Sequence, residues 1–430
     1  MKTIILLSSK RVTIALFVCC IDLCCPSLGF GQHRVIVSTD IGGTDDDDFQ
    51  SMIHYLMYAD QFETEGLISS PHGDGRKEDI LHLIDLYEQD YEKLIARSNN
   101  FPTPDQLRSV TKQGALGRAR LKGWQESTEG SDWIIECARR DLEKPLWVLV
   151  WGGLEDVAQA LHDAPDIADR LRVYWIGGPN KKWSADAYQY LVNRFPKLWM
   201  IETNASYRGW FVDDGSDKDT NVKNFYDIHI KSRGALGKDF IHYYEGVIKM
   251  GDTPSVAYLL DGNPEDPSGD SWGGSFVPLN HSSRRTFERS TSFADSVPAF
   301  GLIEWVFKGP DQDIDQDKPC LWLEVNNQQF EGYYEGEGRY RVRFVPKSTG
   351  SWSYAVSSPI KELDGLKGQF ISVDPWPAAS HTQDFHHLKG WWSDDPNPEL
   401  FEDGHQGAKT VYRWQEDFMK DWARRWSWLE

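Results

Sequence analysis

The stretch STDIGGTDDDDFQSM at 38–52 sets Asp40, Asp45, Asp46, Asp47 and Asp48 on one short loop. A β-rich run ends at Asp40, two glycines allow a tight turn, and the later aspartates lead into an apolar helix. Carboxylates crowded this closely repel one another unless a cation sits among them, and Ca²⁺ takes several oxygen ligands at once. The alternative is a solvated acidic loop whose aspartates cap the helix and complement its dipole. Other residues with chemical capacity lie on comparable loops. His72 in SSPHGDGR is a candidate proton donor, or a loop histidine bonded to backbone. Asn180 in IGGPN, with Glu202 and Asn204 after KLWMI, could hydrogen-bond sugar hydroxyls, and Trp272 in SWGG could wall a cleft.

These loops need a frame. Apolar runs at 34–40, 64–70, 145–153, 170–179 and 197–203 alternate with helical patterns at 49–60, 77–91 and 185–194. Continuous apolar strands separated by helices predict a mostly parallel sheet covered on both faces, with ligands gathered at the carboxyl ends of its strands. Each segment singled out above, the SWGG of Trp272 apart, follows such a strand. After residue 298 the pattern becomes short alternating strands divided by Gly, Pro and Asp, which predicts a small antiparallel sandwich. The last helical pattern, 410–429, is too apolar to stand alone and is expected to pack back on the first domain, making the sandwich an insertion. The expected division is therefore 1–32, 33–297, 298–374 and 375–430.

The first 32 residues carry Lys2, Lys10 and Arg11 before a short apolar run that Asp22 interrupts. They predict a signal peptide rather than a membrane span, and hence a secreted or periplasmic protein. Four of the six cysteines lie in that segment, leaving Cys137 and Cys320, too separated in sequence for a disulfide to be expected. The formal charge of −20 argues against nucleic acid as a partner. Of the 19 tryptophans, Trp414, Trp422 and Trp426 fall at helical spacing and read as core, whereas Trp391 and Trp392 read as loop residues free to stack on sugar.

The order of these motifs resembles the calcium signature of the inosine-uridine nucleoside hydrolase superfamily. More closely, TDIGGTDDDDFQSMIHYLMYAD, TEGLISSPHGDGRKEDIL, WVLVWGGLEDVAQAL, VYWIGGPN, GDTPSVAYLL and DSWGGSF resemble a secreted, cellulose-binding nucleoside-hydrolase-like family over residues 34 to about 277. That resemblance implies an α/β fold with a nucleoside-hydrolase-like sheet flanked by helices. It implies a Ca²⁺ ion held by Asp40, Asp48, the backbone carbonyl of Trp151 and Asp252. In that chemistry the ion orients a water and the substrate's vicinal hydroxyls, and Asp40 or Asp47 removes the water's proton on the way to an oxocarbenium-like transition state. Two departures stand out. The turn between Asp40 and the paired aspartates is longer than in nucleoside hydrolases. The histidine that many of them place before the late aspartate is Gly251 here, which leaves His72 as the substitute acid. Residues 298–373 resemble the immunoglobulin-like module found beside glycoside hydrolase domains. Together these imply an exported, Ca²⁺-dependent hydrolase acting on a carbohydrate or glycoside, or else a non-catalytic polysaccharide-binding protein on the same fold.

Overall fold

The computed structural model describes residues 32–70, 72–140, 143–375 and 379–430. The predicted signal segment, Gln32 apart, and Trp376 lie outside the described residues. The apolar runs form an eight-stranded sheet in the order Thr111–Gln113, Phe62–Ser69, His33–Thr39, Leu146–Val150, Leu171–Ile176, Met200–Thr203, Trp391–Asp394 and Phe276–Pro278. All neighbours are parallel except the last pair. Alternate residues of each strand feed opposite cores, as a period of two requires. Val35, Val37, Trp147, Leu149 and Tyr174 face helices Asp47–Met57, Lys77–Ile95 and Thr253–Leu260. Ile36, Leu146, Val148, Val173 and Trp175 face helices Glu129–Arg140, Glu155–Asp163 and Ala185–Arg194.

Strand order reverses between His33–Thr39 and Leu146–Val150, because successive strands are added outward in opposite directions from that pair. Such a switch point opens a crevice at the carboxyl ends of its two strands. Asp40 and Trp151 are the residues that immediately follow them.

A second eight-stranded sheet runs Ser296–Pro298, Lys367–Val373, Gly350–Ser357, Leu321–Val325, Gln328–Gly336, Arg339–Phe344, Leu302–Lys308 and Arg284–Phe287. It is antiparallel inside and parallel at both ends. The sheet curls on itself, so that Trp305 packs 5.8 Å from Phe370 although their strands are far apart in the order. This β domain begins earlier than residue 298. Arg284–Phe287 pairs with Leu302–Lys308, yet each of its four residues is only partly buried, which is why RRTF carries no apolar alternation to read.

The chain then returns to the first sheet. Trp391–Asp394 inserts between Met200–Thr203 and Phe276–Pro278, and Asp394 accepts hydrogen bonds from the backbone N–H groups of Asn204 and Ala205 at 2.9 and 2.7 Å. Helix Gln415–Trp426 buries Phe418, Met419, Trp422 and Trp426 in the same core as helix Asp47–Met57. Trp391 and Trp392 are therefore strand residues, not loop residues. Trp391 is 1% exposed and stacks on His387 at 4.4 Å, so it offers no face to a glycan. Cys137 and Cys320 are both buried free thiols. Among the described residues no helix is long and apolar enough to cross a membrane.

Candidate active site

The acidic loop lines a pocket of about 230 Å³ at the switch point. Asp40, Asp45, Asp47, Asp48 and Asp252 line it, with Trp151, Asn180, Tyr207 and Gly251. Carboxylate oxygens of Asp45, Asp47 and Asp48 lie within 4.8 Å of one another. Asp40 and Asp48 are hydrogen-bonded to each other, and Asp48 also accepts the Thr39 hydroxyl. Burial raises the Asp40 carboxyl to about 8, Asp45 and Asp47 adding to the effect while the Asp48 hydrogen bond opposes it. Burial followed by neighbouring carboxylates also raises Asp47, Asp48 and Asp252 well above the usual range. Asp46 occupies the helix N-cap but makes no side-chain hydrogen bond to the first turn. Helix capping, the alternative account of this loop, is thus not what its side chains do.

The walls come from distant parts of the chain. Trp151 is buried, its indole N–H donating to the Ser255 hydroxyl at 2.7 Å. Ser255 donates in turn to the Asp252 carbonyl at 2.7 Å, so the fourth strand end fixes the start of helix Thr253–Leu260. One oxygen of Asp252 is buried with no hydrogen-bond partner. Asn180 donates to the Trp151 carbonyl at 3.3 Å and to the Ile176 carbonyl at 3.1 Å. At Gly152 a Cβ would meet the Asp40 side chain at 2.8 Å, so only glycine lets the chain leaving Leu146–Val150 pass so close to the end of His33–Thr39. At Gly251 a Cβ would meet an Asp47 oxygen at 2.9 Å, and a larger side chain there would displace that carboxylate.

An oxygen-only donor set with an orphaned buried carboxylate oxygen fits a hard divalent cation. Asp40, Asp45, Asp47, Asp48 and Asp252 are placed to hold it, with Trp151 at the base of the pocket. Asp45, exposed and indistinguishable in sequence from Asp46, joins the set because it turns toward the pocket.

Several predicted residues lie elsewhere. Glu202 is fully buried and bonded to Lys181 at 2.6 Å, Tyr188 at 2.9 Å and Asn204 at 3.1 Å, so it and Asn204 serve an internal ionic network instead of a sugar. Trp272 packs half-buried against the main core and does not line the pocket. His72 lies in an adjoining cleft beyond Thr44. Burial, reinforced by the charge of Arg118, pushes its imidazole down to about 3. At neutral pH it holds no second proton, which removes it as the imidazolium donor.

Behind His72, at 3.8 Å, is Glu155, which the sequence presents as an ordinary acidic residue at a helix start. Burial raises its carboxyl to about 7, against the opposing hydrogen bond from Ser184 at 3.0 Å. The fold favours the neutral form, so stability contributed by this group is full below the unfolded pKa and is lost as pH rises through about 7. Glu155→Gln, which cannot ionise, should therefore gain melting temperature relative to wild type between pH 5 and pH 8. An unchanged difference at the two pH values would show that Glu155 ionises normally.

The α/β domain is nucleoside-hydrolase-like in fold. The chain belongs to the cellulose-binding Sde182, nucleoside hydrolase-like domain family, whose model matches residues 34–276. A domain of unknown function (DUF5060) matches residues 296–359. Among solved structures the chain is similar to a nucleoside hydrolase-related hypothetical protein from Saccharophagus degradans that is associated with carbohydrate metabolism (19% identity, 80% of this chain and 100% of that one, TM-score 0.48). It is also similar to an inosine-uridine preferring nucleoside hydrolase from Bacillus anthracis (15% identity, 59% and 86%, TM-score 0.36). A putative glycoside hydrolase from Bacteroides vulgatus is 30% identical over 19% of this chain and 17% of its own, with a TM-score of 0.17. A search of curated proteins finds no match.

Proposed function

We propose that the protein is an exported, Ca²⁺-dependent hydrolase of glycosidic bonds acting on a saccharide substrate. The observation that carries this reading is the pocket itself, in which five aspartates converge at the switch point and one oxygen of Asp252 has no partner. A bound Ca²⁺ would offset the mutual repulsion of these carboxylates and polarise a water and the sugar hydroxyls. Of the two candidate bases, Asp40 lies beneath Gly152 and is tied to Asp48. Asp47 is only half-buried and faces the space left by Gly251, so it is the base assigned here. Asn180 orients the Trp151 carbonyl, and Tyr207 closes the side of the pocket. The family's description as cellulose-binding supports a carbohydrate ligand, and residues 1–32 support export.

A non-catalytic saccharide-binding role is the second reading, favoured by Gly251, which leaves no imidazole beside the late aspartate. Hydrolysis of a panel of nucleosides and aryl glycosides, with Ca²⁺ and with chelator, separates the two. Release of sugar that stops on chelation is expected. Saccharide binding without turnover on any member would replace the first reading with the second.

A further inference from the structure

A second cavity, larger than the acidic pocket, is a cleft of about 360 Å³ between the strand-end loops and the β domain. It touches the acidic pocket through a shared wall, since Thr44 lines the cleft and the next residue, Asp45, lines the pocket. The α/β side contributes His72, Arg118 and Trp183; the β domain contributes Trp322, Gln329 and Glu331.

The β-domain side follows from strand register. Leu321, Leu323 and Val325 point into the domain core, so Trp322 and Glu324 point out. Trp322 pairs with Glu331 and Glu324 with Gln329 across the antiparallel ladder, which sets Trp322, Glu331 and Gln329 on that same outer face. Among the described residues no ring or cation stacks on Trp322, in contrast to Trp183, which stacks on Phe330 at 5.3 Å and carries the Arg118 guanidinium at 4.4 Å. One indole face is thus left partly exposed on the cleft wall.

The polar lining is built and partly unused. The His72 side chain is 6% exposed, yet neither ring nitrogen has a hydrogen-bond partner. Arg118 lies over Trp183 at 4.4 Å and Phe330 at 4.9 Å, beside the stack that these two rings form, and donates to the Gln329 carbonyl at 3.0 Å. No carboxylate among the described residues lies within 4.0 Å of it, and its remaining N–H groups are available to a ligand. Glu331, which accepts a hydrogen bond from the Tyr333 hydroxyl at 2.8 Å, adds an acceptor and offsets the arginine's charge. A flat aromatic face beside mixed donors and acceptors matches a sugar ring, whose C–H face is apolar and whose hydroxyls both donate and accept. With one cation and one anion in the lining, a neutral sugar is favoured over an acidic one.

We infer that this cleft is a second saccharide subsite, completed by the β domain, which holds a neutral glycosyl unit of the substrate next to the one in the acidic pocket. The inference rests on the carbohydrate reading above and adds to it a role for the β domain, which supplies half of the binding surface.

The test is calorimetric binding of cellotetraose and xylotetraose to the full chain with Ca²⁺ present, at a temperature low enough for turnover to be negligible during the titration. Wild type should bind at least one of them, and Trp322→Ala should bind it about tenfold more weakly or worse. Gln329→Ala, at an exposed position remote from the core, should weaken binding as well and keeps the test open should Trp322→Ala fail to fold. Absence of binding to both sugars by wild type, undiminished binding by the folded variants, or tighter binding of tetragalacturonate would each overturn the inference. Binding is read without turnover, so the two readings can fail separately. A chain that hydrolyses nothing but loses affinity with Trp322→Ala keeps the subsite and loses the hydrolase. A chain that hydrolyses glycosides while these variants bind as wild type does the reverse.

Discussion

Asp48→Asn is expected to lower glycoside hydrolysis by roughly a thousandfold or more, the loss typical when an electrostatic element of a buried active site is removed. Asp48 is 2% exposed and is the second residue of helix Asp47–Met57. It is the carboxylate that joins the Asp40 side to the Asp45 and Asp47 side of the cluster. The asparagine is nearly isosteric and can still accept the Thr39 hydroxyl, so the fold should survive while one negative ligand is lost. Steady-state kinetics at saturating Ca²⁺ read the effect. Turnover within threefold of wild type would place the chemistry outside this pocket.

The second large effect is on stability. Glu304→Ala should destabilise the chain by about 3–5 kcal/mol in urea unfolding, the usual consequence of deleting one partner from a buried ionic cluster. Glu304 is fully buried and takes Arg343 at 2.7 Å, Arg284 at 2.6 Å and Arg341 at 3.2 Å. Burial pushes its carboxyl upward, but the three guanidinium groups prevail and hold it at about 2. Its stabilising contribution is therefore present above the unfolded carboxylate pKa and is lost as pH falls toward about 2. Arg343 also reaches Asp186 and the Leu121 carbonyl, so the cluster ties the β domain to the α/β domain beside the second cleft. A loss close to zero would mean that water reaches the three arginines and that the junction is held by packing alone.

What the sequence made legible follows from the range of the interactions involved. The parallel strands declare themselves because both of their faces are buried, which forces continuous apolar runs such as LWVLV. The acidic loop is legible because its first aspartate must end a strand and its last must start a helix. Strand order, and with it the switch point that brings Asp40 to Trp151, depends on pairings between residues more than a hundred positions apart.

The errors have a similar origin. Trp391–Asp394 spans only four residues, too few for a period to register, and it becomes a strand because two existing strands leave a gap for it. Glu202 resembled a sugar ligand because it lies at a strand end. The strand ends at Thr203, as the run 197–203 implies, and what the sequence does not show is Lys181, which lies opposite Glu202 and neutralises it. Glu155 and Arg118 carry no local signal, since their character comes from burial between loops. Trp322 is one of 19 tryptophans, distinguished only when register shows which way it points.

The proposed chemistry needs a cation among the aspartates, and thermal unfolding with and without Ca²⁺ is the decisive measurement. An ion bound only by the folded chain must raise the melting temperature, by an amount that grows with its concentration above Kd. Ca²⁺ binding at this site should give wild type a concentration-dependent rise that is lost in Asp48→Asn and reversed by chelator. A wild-type melting temperature indifferent to Ca²⁺ would contradict it.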